Sequence, residues 1–256
     1  MFEHPTLDKL ATLKLTGMLQ ALQEQRQMNA YAELSFEERL GMLVDREVTV
    51  RQNRLLAGRR RRAGLRQQAA VEDIDFRHPR GLDRSVILSL ASCQWVRNRR
   101  NCLITGPTGV GKTYLACALG EKACREGCSV RYARVGRLLG ELAAARLDGS
   151  YLDNLRSLAR VDLLLLDDWG GAPLSDDSRR DLLEILDDRY DRKSTLVTSQ
   201  LPVEKWHAYL ADPTLADAIL DRLVHNSHRL TLIGESMRRT KAAVPDEDLP
   251  GAPAHL

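Results

Sequence analysis

The segment from residue 106 to residue 113 constrains the fold more than any other part of the chain. It reads Gly-Pro-Thr-Gly-Val-Gly-Lys-Thr and fills every fixed position of the pattern G-x-x-x-x-G-K-[ST]. An apolar run, NCLIT, precedes it, and a helix-like segment follows. A Gly-rich loop between a strand and a helix binds phosphate, because its backbone amides and the positive end of the helix point at one place. The motif therefore predicts an α/β domain with a phosphate site.

The residue types in this loop assign chemical roles. Gly109 and Gly111 let the backbone curl around a phosphate. Lys112 supplies a point charge to the β- and γ-phosphates, and the Thr113 hydroxyl binds Mg²⁺. The predicted nucleotide contacts from the loop are Gly106, Pro107, Thr108, Gly109, Val110, Gly111, Lys112 and Thr113.

A second motif supplies the acids that such a site needs. The run LLLLDD at 163–168 predicts a buried central strand, with Asp167 emerging at its carboxyl end beside the loop, where it holds Mg²⁺ through water. Asp168 is placed to polarise the attacking water. Gln200 ends another apolar run and is expected to contact the γ-phosphate or the water, although it could simply cap a strand end.

The remaining pattern indicates one sheet. Five β-rich runs alternate with helical segments, which predicts a five-stranded parallel sheet covered by helices on both faces. The runs are 101–105, 128–133, 161–167, 194–199 and 228–232, and the helices lie near 112–126, 135–160, 175–191 and 203–224.

The chain divides into a small helical module at 1–70, the α/β core at 71–244 and a Pro- and Gly-containing tail at 245–256 that is expected to be disordered. A Leu-rich helical segment covers 6–28, and Ser35 with Glu38 forms a capping box. The helix that this box opens carries an apolar stripe, which comprises Leu40, Val44, Val48 and Leu55.

The positive charge of the chain is concentrated at its beginning. Residues 1–70 hold 12 Lys and Arg against 8 Asp and Glu, whereas the remainder holds 26 against 27. The stretch 51–66 contains seven arginines and no acid. Arginines at this density favour the phosphate backbone of duplex DNA, although a solvated helix end or an acidic protein partner would also accommodate them. The predicted DNA contacts are Arg51, Arg54, Arg59, Arg60, Arg61, Arg62 and Arg66.

Composition excludes several other classes of protein. No stretch of about 18 apolar residues is present, so no membrane partner is expected. The N-terminal sequence lacks the basic and apolar regions of a secretory signal. The five cysteines are odd in number and form no C-x-x-C pair, which indicates neither a disulfide framework nor a zinc site. We therefore expect a cytoplasmic protein.

Four segments together resemble the IstB-type transposition helper ATPases, which belong to the AAA+ class and are close to the DnaC-type helicase loaders. These segments are GPTGVGKT, LLLLDDWG, STLVTSQLPVEKWH and ILDRLVHNSHRLTLIGESMR. The Arg-rich stretch and EDIDF are also similar to that family, so the resemblance covers residues 5–240.

The resemblance implies an ATPase that forms a homo-oligomer on duplex DNA and recruits or stimulates a transposase, with ATP and Mg²⁺ as cofactors. Gly106 to Thr113 would be its Walker A loop, and Asp167 with Asp168 its Walker B acids. Gln200 would be the sensor-1 residue. Arg222 would be an arginine finger aimed at a neighbouring subunit's γ-phosphate, unless it is a solvated helix arginine, and Arg238 would be the sensor-2 residue.

Two features depart from the usual AAA+ pattern. Asp168 stands where most members have Glu, so ATP turnover is expected to be slow and regulatory. About 24 residues follow the last strand, so no C-terminal helical lid is expected. The alternative function is a DnaC-type adaptor that grips a replicative helicase. A small-molecule P-loop kinase is disfavoured because the sequence shows no substrate lid.

Overall fold

The computed structural model describes residues 5–31 and 33–237. The chain forms two compact units that meet between Arg61 and Arg62. This division lies before residue 70, where the sequence suggests the end of the first module. The tail at 245–256 lies outside the described residues.

Among its described residues, the first unit contains three α-helices, α1 (Pro5–Thr12), α2 (Thr16–Gln27) and α3 (Phe36–Ala63), the last of which continues past the division. The predicted helical segment 6–28 is thus two helices, and Lys14 between them has a φ of 58°. The capping box is confirmed. The Ser35 amide donates to Glu38 Oε2 at 2.8 Å, and the Glu38 amide donates to Ser35 Oγ at 3.2 Å.

A buried carboxylate joins α2 to α3. Glu47 on α3 is 6% exposed, and its Oε2 accepts from the amides of Gly17 at 2.7 Å and Met18 at 3.2 Å. These amides belong to the first turn of α2, which its own side chains leave uncapped, so Glu47 supplies the cap. Gly17 permits the approach, because a Cβ there would lie 2.6 Å from Glu47 Cα.

The predicted apolar stripe of α3 faces solvent in this single chain. Leu40, Val44 and Val48 recur every four residues, which places them on one side of a helix. Each is more than a third exposed, and so is Leu55.

The second unit contains one parallel sheet of five strands in the order β2-β3-β4-β1-β5, which confirms the predicted fold class. The strands are β1 (Asn101–Thr105), β2 (Val130–Arg134), β3 (Leu163–Trp169), β4 (Ser194–Ser199) and β5 (Ser227–Thr231). All residues of β1 and β4 are buried, and so are six of the seven in β3, whereas β2 and β5 at the sheet edges are more exposed. Burial on both faces explains the continuous apolar runs of the middle strands.

Helices α4 to α11 accompany this sheet. They are α4 (Arg84–Ala91), α5 (Gln94–Arg97), α6 (Lys112–Arg125), α7 (Val135–Asp148), α8 (Tyr151–Arg160), α9 (Asp176–Arg189), α10 (Trp206–Leu210) and α11 (Pro213–Val224). Short 3-10 helices cover Asn29–Tyr31, Val71–Asp73 and Val203–Lys205. Within residues 5–31 and 33–237, no helix combines the length and apolarity needed to cross a bilayer.

In the second unit, two more predicted helices are divided, each for a local reason. The segment 135–160 breaks at Gly149, whose φ of 80° ends α7 in a left-handed cap. The segment 203–224 breaks where α10 ends, at its cap residue Ala211. The next helix, α11, begins at Pro213, and the side chain of Asp212 caps it by accepting from the Leu215 amide.

The strand order determines which loops meet. Since β4 lies between β3 and β1, the carboxyl ends of these three strands are neighbours. The Gly-rich loop, the acids of β3 and Gln200 all lie at these carboxyl ends.

Candidate active site

The Gly-rich loop follows β1 and turns directly into α6. Gly109 and Gly111 have φ values of 87° and 99°, a backbone region that glycine adopts without the penalty paid by other residues. Lys112 begins the helix, and its Nζ donates to the carbonyls of Gly106 at 2.7 Å and Pro107 at 2.8 Å. The ammonium group is therefore held across the loop that would surround a phosphate.

Asp167 lies opposite the loop and is only 2% exposed. Thr113 Oγ1 donates to its Oδ1 at 2.9 Å, and the Tyr132 hydroxyl donates to its Oδ2 at 2.6 Å. Thr198 Oγ1 also donates to Oδ1. Burial raises the pKa of Tyr132, and the hydrogen bond to Asp167 raises it further, so this hydroxyl remains a donor.

Thr113 and Asp167 fit a magnesium ion. A hydroxyl and a carboxylate converge within hydrogen-bond distance of each other, beside the lysine that would hold the phosphates. Mg²⁺ prefers oxygen ligands and is usually bound by one or two protein groups together with phosphates and water. These two side chains are the residues that would hold it.

Asp168 is held in an unusual conformation. Its φ is +67°, a left-handed value that Asp tolerates better than most residues. Arg134, the last residue of β2, donates from Nη2 to Asp168 Oδ2 at 2.8 Å, and this contact raises the pKa of Arg134. The Asp168 amide donates to Thr198 Oγ1 at 3.2 Å, so one threonine orients both acids.

A cavity of about 200 Å³ opens between the loop and the acids. Lys112, Arg134 and Arg66 line it together with Asp167 and Asp168. Gln200 lines it as well, and its Oε1 accepts from Thr108 Oγ1 at 2.7 Å. The structure thus brings the loop, both acids and Gln200 to one place.

Arg80 is a buried cation behind the loop. It is 2% exposed, and its Nη1 donates to the Val110 carbonyl at 3.1 Å. Burial lowers its pKa, and no described residue accepts from its Nε. A Cβ on Gly111 would lie 2.6 Å from Arg80 Nη1, so this glycine is also needed for the close approach.

Sequence reasoning missed Tyr132, Arg134, Thr198 and Arg80. The first three sit at or near the carboxyl ends of β2 and β4. That position is the one available signal, and it becomes informative only when the strand order is known. For Arg80, the sequence offers no comparable signal.

Arg222 lies away from this cavity in its own chain. It is on α11, where its Nε donates to Asp187 Oδ1 at 2.6 Å. Its carbonyl accepts from Asn101 Nδ2 at 2.8 Å. Asn101 is the first residue of β1, so it lies at the end of the strand opposite to the Gly-rich loop. The proposed sensor-2 residue, Arg238, lies outside the described residues.

The arginines of the 51–66 stretch occupy different surroundings. Arg51 donates to Glu47 at 2.6 Å, and Arg54 donates to Thr16 at 3.2 Å. Arg59 to Arg62 belong to the end of α3. Arg66 follows the helix, and its Nη1 is 3.6 Å from Asp167 Oδ2.

Comparison with known proteins identifies the group to which this site belongs. The family model described as IstB-like ATP binding protein matches residues 8–244. An insertion sequence ATP-binding protein of Sinorhizobium fredii, y4pL, is 54% identical over 241 residues, which cover 94% of this chain and 98% of the relative. The insertion sequence IS21 ATP-binding protein of Pseudomonas aeruginosa is 33% identical over 229 residues, covering 90% and 86%.

Solved structures share the fold. DnaI matches with a TM-score of 0.56 at 22% identity, covering 64% of this chain and 91% of DnaI. The DnaC helicase loader matches with a TM-score of 0.51 at 21% identity, covering 64% and 96%. The chain therefore shares the parallel α/β P-loop fold of these proteins.

Proposed function

The chain belongs to the IstB-like ATP-binding proteins, and from that premise we propose that it is an ATP-dependent regulator that assembles on duplex DNA and recruits or stimulates a transposase. The observation that carries the proposal is the convergence of Lys112, Thr113 and Asp167 at one cavity. The names of its relatives, which are insertion sequence ATP-binding proteins, support the transposition context.

ATP binding and hydrolysis use the residues of this cavity. The loop amides and Lys112 bind the phosphates, and Thr113 with Asp167 holds Mg²⁺. When bound, Mg²⁺ neutralises charge on the phosphates and aligns them. Asp168 orients the attacking water, and Gln200 contacts the γ-phosphate side. Turnover is slow because Asp168 is short and is engaged by Arg134.

The DNA contacts are proposed on α3. Arg59 to Arg62 form an unbroken cationic run in the helix, and Arg51 and Arg54 precede it by two and one turns. Such a run binds the phosphate backbone without reading bases. We also propose that the protein works in the cytoplasm, because that is where the DNA lies in bacteria such as those that encode its relatives.

A homo-oligomer completes the proposed mechanism. Arg222 is distant from its own cavity and would serve a neighbouring subunit, where an arginine stabilises charge that develops during phosphoryl transfer. The exposed stripe of Leu40, Val44 and Val48 offers apolar surface for assembly. ATP then favours the assembled state that holds DNA, and hydrolysis weakens it.

The test is nucleotide-dependent assembly of the Lys112→Ala variant on duplex DNA, measured by light scattering with a slowly hydrolysed ATP analogue. We expect the wild-type chain to form large particles and the variant to form none, while Lys205→Ala, which removes an exposed lysine elsewhere, behaves as wild type. Normal assembly of Lys112→Ala would refute the mechanism. A pull-down that captures a replicative helicase and no transposase would favour the helicase-adaptor function.

A further inference from the structure

Arg66 differs from the other arginines of the Arg-rich stretch because its guanidinium reaches the active-site cavity. It lines that cavity together with Lys112 and Thr113. Its distance of 3.6 Å to Asp167 Oδ2 exceeds that of a normal N–H···O hydrogen bond, and Tyr132 already donates to this oxygen at 2.6 Å. Asp167 therefore has hydrogen-bond partners that do not include Arg66.

The backbone before and after Arg66 is fixed to α6. The Leu65 side chain packs against Gly120 of α6, where a Cβ would lie only 3.1 Å from Leu65 Cδ2. Because glycine has no side chain, Leu65 can occupy this space. The thiol of Cys117, whose pKa is raised by burial, lies beside the backbone amides of Gln67 and Arg66. Cys117 follows Thr113 by about one helical turn. The position of Arg66 is thus tied to the helix whose first residues form the phosphate site.

The charges of the cavity leave room for a phosphate ligand at Arg66. Among the described residues that line the cavity, three cations, Arg66, Lys112 and Arg134, face two acids, Asp167 and Asp168. Of the two acids, Asp168 pairs with Arg134 at 2.8 Å, and Asp167 serves the metal side. A guanidinium binds phosphate oxygens through paired, charge-assisted hydrogen bonds. A bound nucleotide would bring its negatively charged terminal phosphate to the side of the cavity where Lys112 lies.

We infer that Arg66 is a phosphate-binding residue of the ATP site in its own subunit, and that it contacts the terminal phosphate and distinguishes a nucleoside triphosphate from a diphosphate. The inference rests on the proposed ATP-binding function and assigns one more residue to it. It also separates Arg66 from the arginines proposed to contact DNA.

The test compares the affinities of fluorescent ADP and of a fluorescent, slowly hydrolysed ATP analogue, both with Mg²⁺, for four chains. These are the wild type, Arg66→Gln, Arg66→Lys and the control Arg180→Gln, which removes an exposed arginine on α9. We expect Arg66→Gln to bind the triphosphate about tenfold more weakly, as for a lost charged hydrogen bond, with ADP affinity nearly unchanged. Arg66→Lys should be intermediate, and Arg180→Gln should match the wild type.

Unchanged ADP affinity also shows that Arg66→Gln is folded. An unchanged ratio of the two affinities in Arg66→Gln would overturn the inference, whether neither ligand weakened or both weakened equally, because a merely structural ion pair affects them alike. If the wild-type chain bound neither nucleotide, the proposed function itself would fail. The two failures are therefore distinguishable.

Discussion

Three hydroxyl groups, those of Thr113, Tyr132 and Thr198, hold the buried carboxylate of Asp167. Thr198 differs from the other two because its oxygen also accepts from the Asp168 amide, and because it is 1% exposed. A buried polar group that loses its partner costs free energy, since no water replaces the lost hydrogen bond. Thr198 therefore links stability to the geometry of both acids.

We predict that Thr198→Val lowers the free energy of unfolding by about 1–3 kcal/mol, because valine keeps the shape and leaves two buried groups short of a partner. Urea denaturation measures the change. Thr198→Ser keeps the hydroxyl and should lose less. Equal stability of the Val variant and the wild type would contradict the hydrogen-bonding role.

Asp168 is expected to act on the attacking water and not on nucleotide affinity. We predict that Asp168→Asn lowers kcat for ATP by about 10²–10⁴-fold, the usual effect of removing a general base, while nucleotide binding remains. Asn also tolerates the left-handed backbone found here. Phosphate release and fluorescent-nucleotide binding measure the two properties, with Asp177→Asn, an exposed acid on α9, as the control. Wild-type turnover would remove Asp168 from the reaction.

At this scale, the sequence predicts the residues that a local motif specifies. The loop residues, Asp167 and Asp168 follow from fixed spacing next to a strand. Tyr132 and Thr198 could not be predicted, since they reach Asp167 from β2 and β4, which are distant in the chain. For Arg66, the sequence predicted a role with the neighbouring helix arginines, because all of them belong to one Arg-rich stretch. In the tertiary structure, Arg66 instead lies beside Asp167.

Helix α3 carries the charge that is proposed to hold DNA. We predict that changing Arg59 to Arg62 to Ala weakens duplex binding and reduces the slope of log affinity against log salt by roughly 3 to 4, the value for four lost phosphate contacts. Fluorescence anisotropy at several salt concentrations measures the slope. Replacing the same four residues by Lys keeps the charge and should largely preserve the slope. An unaltered slope in the Ala variant would exclude this run from the DNA contact.

The contact between α2 and α3 depends on an ionised side chain. The hydrogen bond from Arg51, together with those from the amides of Met18 and Gly17, lowers the pKa of Glu47 below its usual value. A lowered folded-state pKa adds stability above the unfolded-state value, and this stability is lost as the pH falls through the folded-state value.

We therefore predict that Glu47→Gln destabilises the first unit at about pH 7 and destabilises it less at an acidic pH below the lowered pKa of Glu47, where the wild-type carboxyl group is itself protonated. Circular dichroism during urea unfolding at the two pH values measures this. Glu37→Gln, on the exposed first turn of α3, is the control. An equal loss of stability at both values would show that the charge of Glu47 is unimportant.

At the scale of the whole chain, the strand count and the parallel direction were predictable because each buried strand is a continuous apolar run between helices. The order β2-β3-β4-β1-β5 was not, since it depends on how the runs pair. The breaks at Gly149 and Ala211 also escaped prediction, because the apolar period continues across them. The proposed function of Arg222 depends on the contact between subunits, which a single chain does not contain.

Arg222 can act on a neighbouring subunit only if it can leave Asp187. The Asp187 side chain of this ion pair is exposed, and exposed ion pairs contribute little stability. Breaking the pair so that Arg222 can reach a neighbouring subunit therefore costs little free energy. We predict that Arg222→Ala and Asp168→Asn, which keeps nucleotide binding, are each nearly inactive as ATPases on duplex DNA. An equal mixture should recover up to about a quarter of the wild-type rate, because about a quarter of the junctions then combine an intact Asp168 with an intact Arg222.

Phosphate release from the separate and mixed chains measures this recovery. Asp187→Ala should retain activity, since it removes the acidic side chain that pairs with Arg222 within its own chain. Activity of the mixture equal to the mean of the separate variants would show that Arg222 does not act across a junction. Recovery would instead show that each ATP site requires residues from two copies of the chain, so that hydrolysis depends on assembly.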